Sequence, residues 1–306
     1  MIAFIFPGQG SQEVGMGRDF AENFPVARRT FEEADDFLKF PLSRLCFAGP
    51  EERLLLTEFT QPAILATSVA ILRVITAETG LRFSFAAGHS LGEYSALVAA
   101  GVLVFGDALR VVRSRGVFMQ EAVPAGVGGM AAVLGMDEPI VEEICREASQ
   151  GEIVALANYN SPGQLVIAGH CGALQRALEL CHRRGCKKAL MLAVSAPFHS
   201  PLMSPAGERL RPILDEIPCH PFQVPLISNV EAEVNEDPGR VRELLVQQVS
   251  RPVLWDASIR KMVSRGVKRF VEIGPGKVLT GLVKRIDKTV APQAVDKVQG
   301  LKTLMA

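Results

Sequence analysis

Short apolar runs alternate with longer helix-forming stretches along most of the chain. Predicted strands lie at 2–6, 83–87, 224–227 and 269–273, and long predicted helices lie at 62–78 and 106–122. Strands that alternate with helices are typical of α/β proteins, in which helices cover a largely parallel sheet. The pattern therefore predicts an α/β core.

The middle of the chain has a different order of elements. Residues 130–193 predict strands and helices in the order β-α-β-β-α-β, with a turn at 160–163 between the two middle strands. This order is the signature of a ferredoxin-like unit. We therefore predict a small domain at 125–196, inserted into a core formed by residues 1–124 and 197–306.

Composition narrows the class of protein. The chain has 306 residues, of which 48% are hydrophobic and 22% charged, as in an ordinary globular protein. Its 33 basic residues balance 33 acidic ones, so no surface for nucleic acid or acidic membranes is expected. The sequence shows no apolar run near the roughly 20 residues of a bilayer span, and it opens on an apolar strand without a basic leader. We expect a cytoplasmic protein.

Six scattered cysteines contain no C-x-x-C spacing. Cys171, Cys181 and Cys219 each adjoin a histidine, but neighbouring residues rarely bind one ion together, and the usual zinc spacings are absent. Reduced structural thiols are therefore favoured over a metal centre or disulfides.

The pentapeptide G-x-S-x-G at 88–92 lies between the predicted strand at 83–87 and a predicted helix at 93–100. A sharp strand-to-helix turn needs glycines beside the serine, because side chains there would collide with neighbouring backbone. Such a turn exposes the hydroxyl and directs the helix N–H groups toward it. Ser90 is therefore a candidate nucleophile; the alternative is a serine that only caps the helix.

A serine nucleophile needs a base within hydrogen-bonding reach. His199 follows a strand and precedes a helix, which is where α/β folds place a catalytic histidine, although a surface-loop histidine is the alternative. The side chain of His89 is expected to point away from Ser90. No acid stands out as a third member, so a main-chain carbonyl could orient the imidazole of a Ser–His dyad.

Arg115 is predicted to lie on the buried face of the helix at 106–122. Its neighbours three and four residues away are all apolar: Val111, Val112, Phe118 and Met119. An unpaired buried charge is costly, so Arg115 either pairs with an internal carboxylate or awaits an anionic ligand. A guanidinium is well suited to bidentate capture of a carboxylate.

The loop at 7–12 follows the first predicted strand and contains Gly8-x-Gly10. Glu13 occupies the third glycine position of a dinucleotide fingerprint, so that motif is not fulfilled. A loop at the carboxyl end of a sheet strand is nevertheless well placed to line a site.

Several sequence blocks together resemble the malonyl-CoA–acyl carrier protein transacylases. In chain order they are FPGQGSQ at 6–12, GHSLGEY at 88–94, RGVFMQ at 115–120, NYNSPGQ at 158–164, PFHS at 197–200 and VEIGPG at 271–276. The nearest likeness is to the stand-alone bacterial enzymes of fatty-acid synthesis, and polyketide-synthase acyltransferase domains are near relatives. The resemblance covers nearly the whole chain and implies an α/β-hydrolase-like core with a ferredoxin-like insert.

The resemblance also implies catalytic roles. Ser90 would be the nucleophile and His199 the base. Gln248 would orient His199 through its main-chain carbonyl, which explains the missing acid. Gln9 and Leu91 would supply the N–H groups of the oxyanion hole.

Substrate-binding roles follow from the same resemblance. Arg115 would bind the free carboxylate of a malonyl group, and Asn160 would form part of the pocket wall. Phe198 is similar to the variant that prefers malonyl to methylmalonyl, because a bulky ring leaves less room for an α-methyl group.

The expected reaction is a ping-pong transfer of malonyl from malonyl-CoA to the phosphopantetheine thiol of acyl carrier protein, by a monomer without a metal or cofactor. A hydrolase could use the same serine and histidine, although the apolar-face arginine favours the transferase. A polyketide-pathway acyltransferase acting in trans would differ only in its partner. A non-enzymatic carrier-binding protein is disfavoured by the intact Ser90 and His199.

Overall fold

The computed structural model describes residues 1–124, 126–194 and 196–305. Its strands form two separate sheets. The strands are β1 (Ile2–Phe6), β2 (Phe85–Gly88), β3 (Gly128–Leu134), β4 (Val154–Ser161), β5 (Gln164–His170), β6 (Lys188–Met191), β7 (Leu226–Ile227), β8 (Val234–Asn235), β9 (Arg269–Ile273) and β10 (Ala291–Val295).

Helices pack against both sheets. They are α1 (Arg18–Asn23), α2 (Pro25–Leu38), α3 (Leu42–Ala48), α4 (Glu51–Leu54), α5 (Thr57–Thr79), α6 (Gly92–Ala99), α7 (Phe105–Glu121), α8 (Glu138–Ser149), α9 (Cys171–Arg183), α10 (Ser204–Asp215), α11 (Pro238–Ser250), α12 (Trp255–Ser264), α13 (Val278–Ile286) and α14 (Val298–Met305). A 3₁₀ turn, Pro201–Met203, precedes α10.

The larger sheet has the strand order β10-β9-β1-β2-β7-β8 within the described residues. All neighbouring strands in it are parallel except the pair β7–β8. The smaller sheet is antiparallel, with the order β4-β5-β3-β6. These sheets confirm the predicted α/β core and the ferredoxin-like order of the middle segment.

The limits of the predicted small domain remain a prediction. The strands of the smaller sheet lie between residues 128 and 191, inside the range 125–196. The first boundary residue, 125, falls outside the described part of the chain.

Strand β1 is apolar throughout because both of its faces are covered. Phe4 and Phe6 pack in one core cluster with α2, α5 and α7, whereas Ala3 and Ile5 pack in a second cluster with α12 and α13. Alternate side chains of a strand point to opposite faces, so a strand buried on both sides has no polar positions.

Helix α5 begins at Thr57, five residues before the predicted start at Pro62. It is long and apolar enough to cross a membrane by length and composition alone, but 89% of its most apolar window is buried inside the fold. It packs against α2 and α7 as a core helix. Buried threonine, serine and glutamine residues interrupt its apolar positions, so the sequence contains a predicted helix here but no continuous apolar run as long as a bilayer span.

Parallel pairing places two functional loops side by side. Phe6, the last residue of β1, is the register partner of Gly88, the last residue of β2. The loop at 7–12 and the turn containing Ser90 therefore leave the same edge of the sheet. This edge, outside the carboxyl ends of parallel strands, is where α/β proteins bind ligands.

Candidate active site

Ser90 lies on a sharp turn between β2 and α6. Its backbone has a φ of 51°, in the left-handed region that non-glycine residues seldom adopt. A Cβ atom on Gly88 would lie 1.9 Å from the carbonyl carbon of Gly92, and one on Gly92 would lie 2.0 Å from the carbonyl oxygen of Phe6. Both positions therefore require glycine, as the sequence pattern predicts.

His199 contacts Ser90 directly. Its Nε2 lies 2.7 Å from Ser90 Oγ, and its Nδ1 lies 2.8 Å from the carbonyl oxygen of Gln248 and 3.2 Å from that of Arg251. An Nδ1–H that donates to these carbonyls leaves Nε2 free to accept the serine proton. The contacts expected between Ser90 and His199 and between His199 and the Gln248 main chain are thus both present.

Burial, and secondarily the positive charge of Arg115, lower the pKa of His199 to about 3. The imidazole is therefore neutral near pH 7. A neutral imidazole is the state that can accept a proton from Ser90.

Arg115 lies on α7 and is only 1% exposed. Its Nη1 donates to Gln61 Oε1 at 2.9 Å, and its Nη2 donates to Ser90 Oγ and Gln248 Oε1, each at 3.0 Å. Its Nε has no hydrogen-bond partner. In the described ranges, no carboxylate oxygen forms an ion pair with it within 4.0 Å. The buried position predicted for Arg115 is confirmed, and direct pairing with an internal carboxylate is absent.

A buried carboxylate nevertheless lies one side chain away. Glu93, in the first turn of α6, accepts hydrogen bonds from Gln248 Nε2 at 2.7 Å and from the Asn229 main-chain N–H at 3.3 Å. Burial raises the pKa of Glu93 to about 7. Glu93 was not identified in the sequence, although an acidic residue in an otherwise apolar helix start was a usable signal.

Asn229 is a second residue that sequence reasoning missed. Its Oδ1 accepts the Ser90 main-chain N–H at 2.7 Å, and its Nδ2 donates to the Gly88 carbonyl oxygen at 2.7 Å. It thereby bridges the two sides of the strained turn. Its position soon after β7 is the one sequence signal for this role, because residues that follow the strands at this edge of the sheet line the site.

Gln9 and Leu91, the residues expected to supply oxyanion-hole N–H groups, both lie at the carboxyl edge of the larger sheet. Gln9 follows β1 and lines the cavity, and Leu91 immediately follows Ser90 at the start of α6. Within the described chain, neither main-chain N–H donates to a protein acceptor. The Ser90 N–H, by contrast, already donates a hydrogen bond to Asn229 Oδ1.

A cavity of about 660 Å³ opens over Ser90, His199 and Arg115. Asn160 and Phe198 both line it, whereas Gln248 lies fully buried behind it. Strand β4 extends to Ser161, so Asn160 belongs to a strand rather than to the predicted turn.

The imidazole of His89 is directed away from Ser90, as predicted. Its Nε2 lies 2.8 Å from Asn160 Oδ1, and its ring lies 5.6 Å from that of Trp255. This contact joins the serine turn to the smaller sheet.

A Ser–His contact at the carboxyl edge of a parallel sheet is typical of acyl-transfer enzymes. Residues 3–302 match the acyl transferase domain family. A malonyl CoA-acyl carrier protein transacylase of Bacillus subtilis is 50% identical over 295 residues, which cover 96% of this chain and 93% of that protein.

Solved structures of malonyl transferases closely match the fold of this chain. An acyl carrier protein S-malonyltransferase of Vibrio cholerae is 47% identical with a TM-score of 0.97, covering 99% of each chain. A malonyl-transacylase in complex with its type II PKS acyl-carrier protein is also 47% identical with a TM-score of 0.97, covering 99% of this chain and 98% of that one. The chain belongs to the malonyl CoA-acyl carrier protein transacylases of the acyl transferase family.

Proposed function

We propose that this protein transfers a malonyl group from malonyl-CoA, through an ester on Ser90, to the phosphopantetheine thiol of acyl carrier protein in fatty-acid synthesis. One observation carries the choice of acyl group: the Arg115 guanidinium lies 3.0 Å from the nucleophilic oxygen without a carboxylate partner. A donor group with a free carboxylate supplies that partner.

In the first half-reaction, Ser90 Oγ attacks the thioester carbonyl carbon while its proton moves to Nε2 of His199. The main-chain N–H groups of Gln9 and Leu91 stabilise the resulting oxyanion. The C–S bond then breaks, and the coenzyme A sulfur leaves with the proton held by His199. The product is a malonyl ester of Ser90.

The second half-reaction reverses these steps. His199 takes the proton of the carrier's phosphopantetheine thiol, and the sulfur attacks the ester carbonyl. Ser90 Oγ leaves and recovers its proton from His199. Exchange of a thioester for an ester and back involves no change of oxidation state, so the proposal requires neither a metal nor a redox cofactor.

Arg115 links substrate choice to base strength. Its charge opposes protonation of His199 and helps to keep the pKa of that imidazole low. A malonyl carboxylate bound to Arg115 would offset this charge and make His199 a stronger base. An acetyl group would leave both the guanidinium unpaired and the base weak.

Phe198 and Asn160 are the residues proposed to shape the pocket for the acyl group. The Phe198 ring lines the cavity and limits space for an α-methyl substituent, and Asn160 forms part of the wall. All the proposed catalytic groups come from one chain, which fits a monomer. All six cysteines are free, as expected for a cytoplasmic protein.

The decisive experiment is labelling with malonyl-CoA followed by mapping of the adduct by mass spectrometry. One malonyl group on Ser90 is expected, with none on a Ser90→Ala variant. Holo acyl carrier protein should then discharge the adduct much faster than water does. A label on another residue contradicts the proposed nucleophile, and equally fast discharge by water indicates a hydrolase.

A further inference from the structure

The Gln248 side chain lies between two buried ionisable groups of the site, Glu93 and Arg115. Its Nε2 donates to Glu93 Oε2 at 2.7 Å and to the Ser90 carbonyl oxygen at 2.9 Å. Its Oε1 accepts from Arg115 Nη2 at 3.0 Å. Glu93 and Arg115 are thus joined through a single amide group.

The chemistry of the two partners fixes the orientation of this amide. A guanidinium can only donate hydrogen bonds, so it requires the oxygen end of the amide. Glu93 Oε2 is an acceptor, since it also accepts the Asn229 main-chain N–H, so it requires the NH₂ end. If the amide turned over, NH₂ would face the guanidinium and oxygen would face the carboxylate, and both contacts would become unfavourable.

We propose that Glu93 is a positioning residue for malonyl recognition: its carboxylate holds the Gln248 amide in the one orientation that accepts from Arg115. The Glu93 carboxyl group lies near the buried guanidinium without forming an ion pair with it. The Arg115 Nε has no hydrogen-bond partner. This inference rests on the proposed malonyl transfer.

The same residue connects this relay to the base. The main-chain oxygen of Gln248 contacts His199 Nδ1 at 2.8 Å, while its side chain holds Arg115. Gln248 is fully buried and lies near the end of α11. Loss of the amide orientation should therefore act first on Arg115, because the main-chain contact does not depend on the side chain.

Glu93→Gln tests the proposal with little change of shape. A glutamine at 93 can donate as well as accept, so it no longer opposes turning of the Gln248 amide, and only Arg115 and the Ser90 carbonyl oxygen still favour the native orientation. The ratio of kcat/KM for malonyl-CoA to that for acetyl-CoA should fall about tenfold, as for the loss of one hydrogen bond to a charged group. Most of the fall should appear as a higher KM for malonyl-CoA. Equal losses for both donors, or no change in the ratio, would overturn the proposal.

Glu272→Gln is a matched control. Glu272 is also fully buried, but it accepts from the main-chain N–H groups of Leu279 and Thr280 at the start of α13. This control should lower the melting temperature and leave the malonyl-to-acetyl ratio within about twofold. A comparable fall in the ratio would show that any lost buried carboxylate has the same effect and would overturn the assignment to Glu93.

A double-mutant cycle tests whether Glu93 acts through Gln248. Gln248→Met removes the amide but keeps the main-chain carbonyl and a similar length, and it should lower the same ratio. Adding Glu93→Gln to Gln248→Met should then change the ratio by less than about twofold. Additive effects would show that Glu93 acts independently of the amide. If Glu93→Gln does not fold, a ratio unchanged in Gln248→Met overturns the proposal.

Labelling of the wild-type protein distinguishes failure of this inference from failure of the proposed function. If wild-type protein forms no malonyl ester on Ser90, the proposed function is wrong. If it forms the ester and prefers malonyl, but Glu93→Gln keeps the full preference, only the role of Glu93 is wrong.

Discussion

The two sheets contribute different things to one cavity. The larger, parallel sheet and its connections supply the reactive and charged groups, which are Ser90, His199 and Arg115. Among the described residues, the part of the lining that comes from the segment of the smaller sheet has no ionisable side chain: Met130, Asn158, Asn160, Gln164, Val166, Leu192, Ala193 and Val194. Parallel strands end at one edge and bring loops together there, whereas this antiparallel sheet contributes a wall.

The two sides of the cavity also differ in the hydrogen bonds that stabilise them. Around Ser90, buried side chains bond to one another and to the strained turn, as Asn229 and Gln248 do. The smaller sheet is attached by main-chain hydrogen bonds, from Tyr159 to Val253 and from Val253 to Ala157, each 2.9 Å, in addition to the side-chain contact between His89 and Asn160. Substitutions on the first side should therefore change the chemistry, and those on the second should change binding and fit.

Arg115→Ala, on the side of the larger sheet, should lower kcat/KM for malonyl-CoA more than a substitution on the side of the smaller sheet. Loss of one partner of a buried charge pair costs about 3–5 kcal/mol, so kcat/KM for malonyl-CoA should fall by at least ~10²-fold, measured by steady-state kinetics. Transfer from acetyl-CoA should fall much less, because no carboxylate contact is lost. A variant that still strongly prefers malonyl would show that Arg115 does not bind the carboxylate.

His199→Asn should change the pH dependence of stability. The folded-state pKa of His199, about 3, lies below its ordinary value of 6.5, so the unfolded chain binds a proton that the folded protein does not. This contribution is present above pH 6.5 and is lost as pH falls toward 3. Between pH 6.5 and 5, the wild-type free energy of unfolding should therefore fall by about 2 kcal/mol more than that of the variant.

Chemical denaturation at each pH measures this difference. Burial raises the pKa of Glu93 to about 7, above its ordinary 4.5, so its contribution has the opposite sign and decreases as pH rises from 4.5 to 7. Because both proteins retain Glu93, subtracting one curve from the other isolates His199. Identical pH dependence in the two proteins would contradict a depressed pKa at this site.

Asn160→Ala should have the smallest effect and tests the wall of the smaller sheet. It removes the half-buried hydrogen bond that His89 Nε2–H donates to Asn160 Oδ1. A net cost of about 1 kcal/mol corresponds to about a fivefold lower kcat/KM for malonyl-CoA, with the malonyl preference retained. A loss as large as that of Arg115→Ala would place essential chemistry on this side of the cavity.

Local sequence patterns were sufficient for much of the fold and the core of the site. The glycines around Ser90 indicate the turn because steric exclusion acts between close neighbours, and the spacing of apolar residues around Arg115 indicates its burial. The main errors concern element ends: α5 begins before Pro62, and β4 continues through Asn160. Packing of these residues overrode their local preference for turns and helix starts.

The sequence by itself therefore determined the α/β class, the strained serine turn and a buried arginine, since each depends on residues close together in the chain. Only the tertiary structure decided which polar groups meet beneath Ser90. Glu93 and Gln248 are 155 positions apart, and Ser90 and Asn229 are 139 apart. A hydrogen bond over such separations leaves no periodicity in the chain, because it is fixed by where parallel strands end and helices pack.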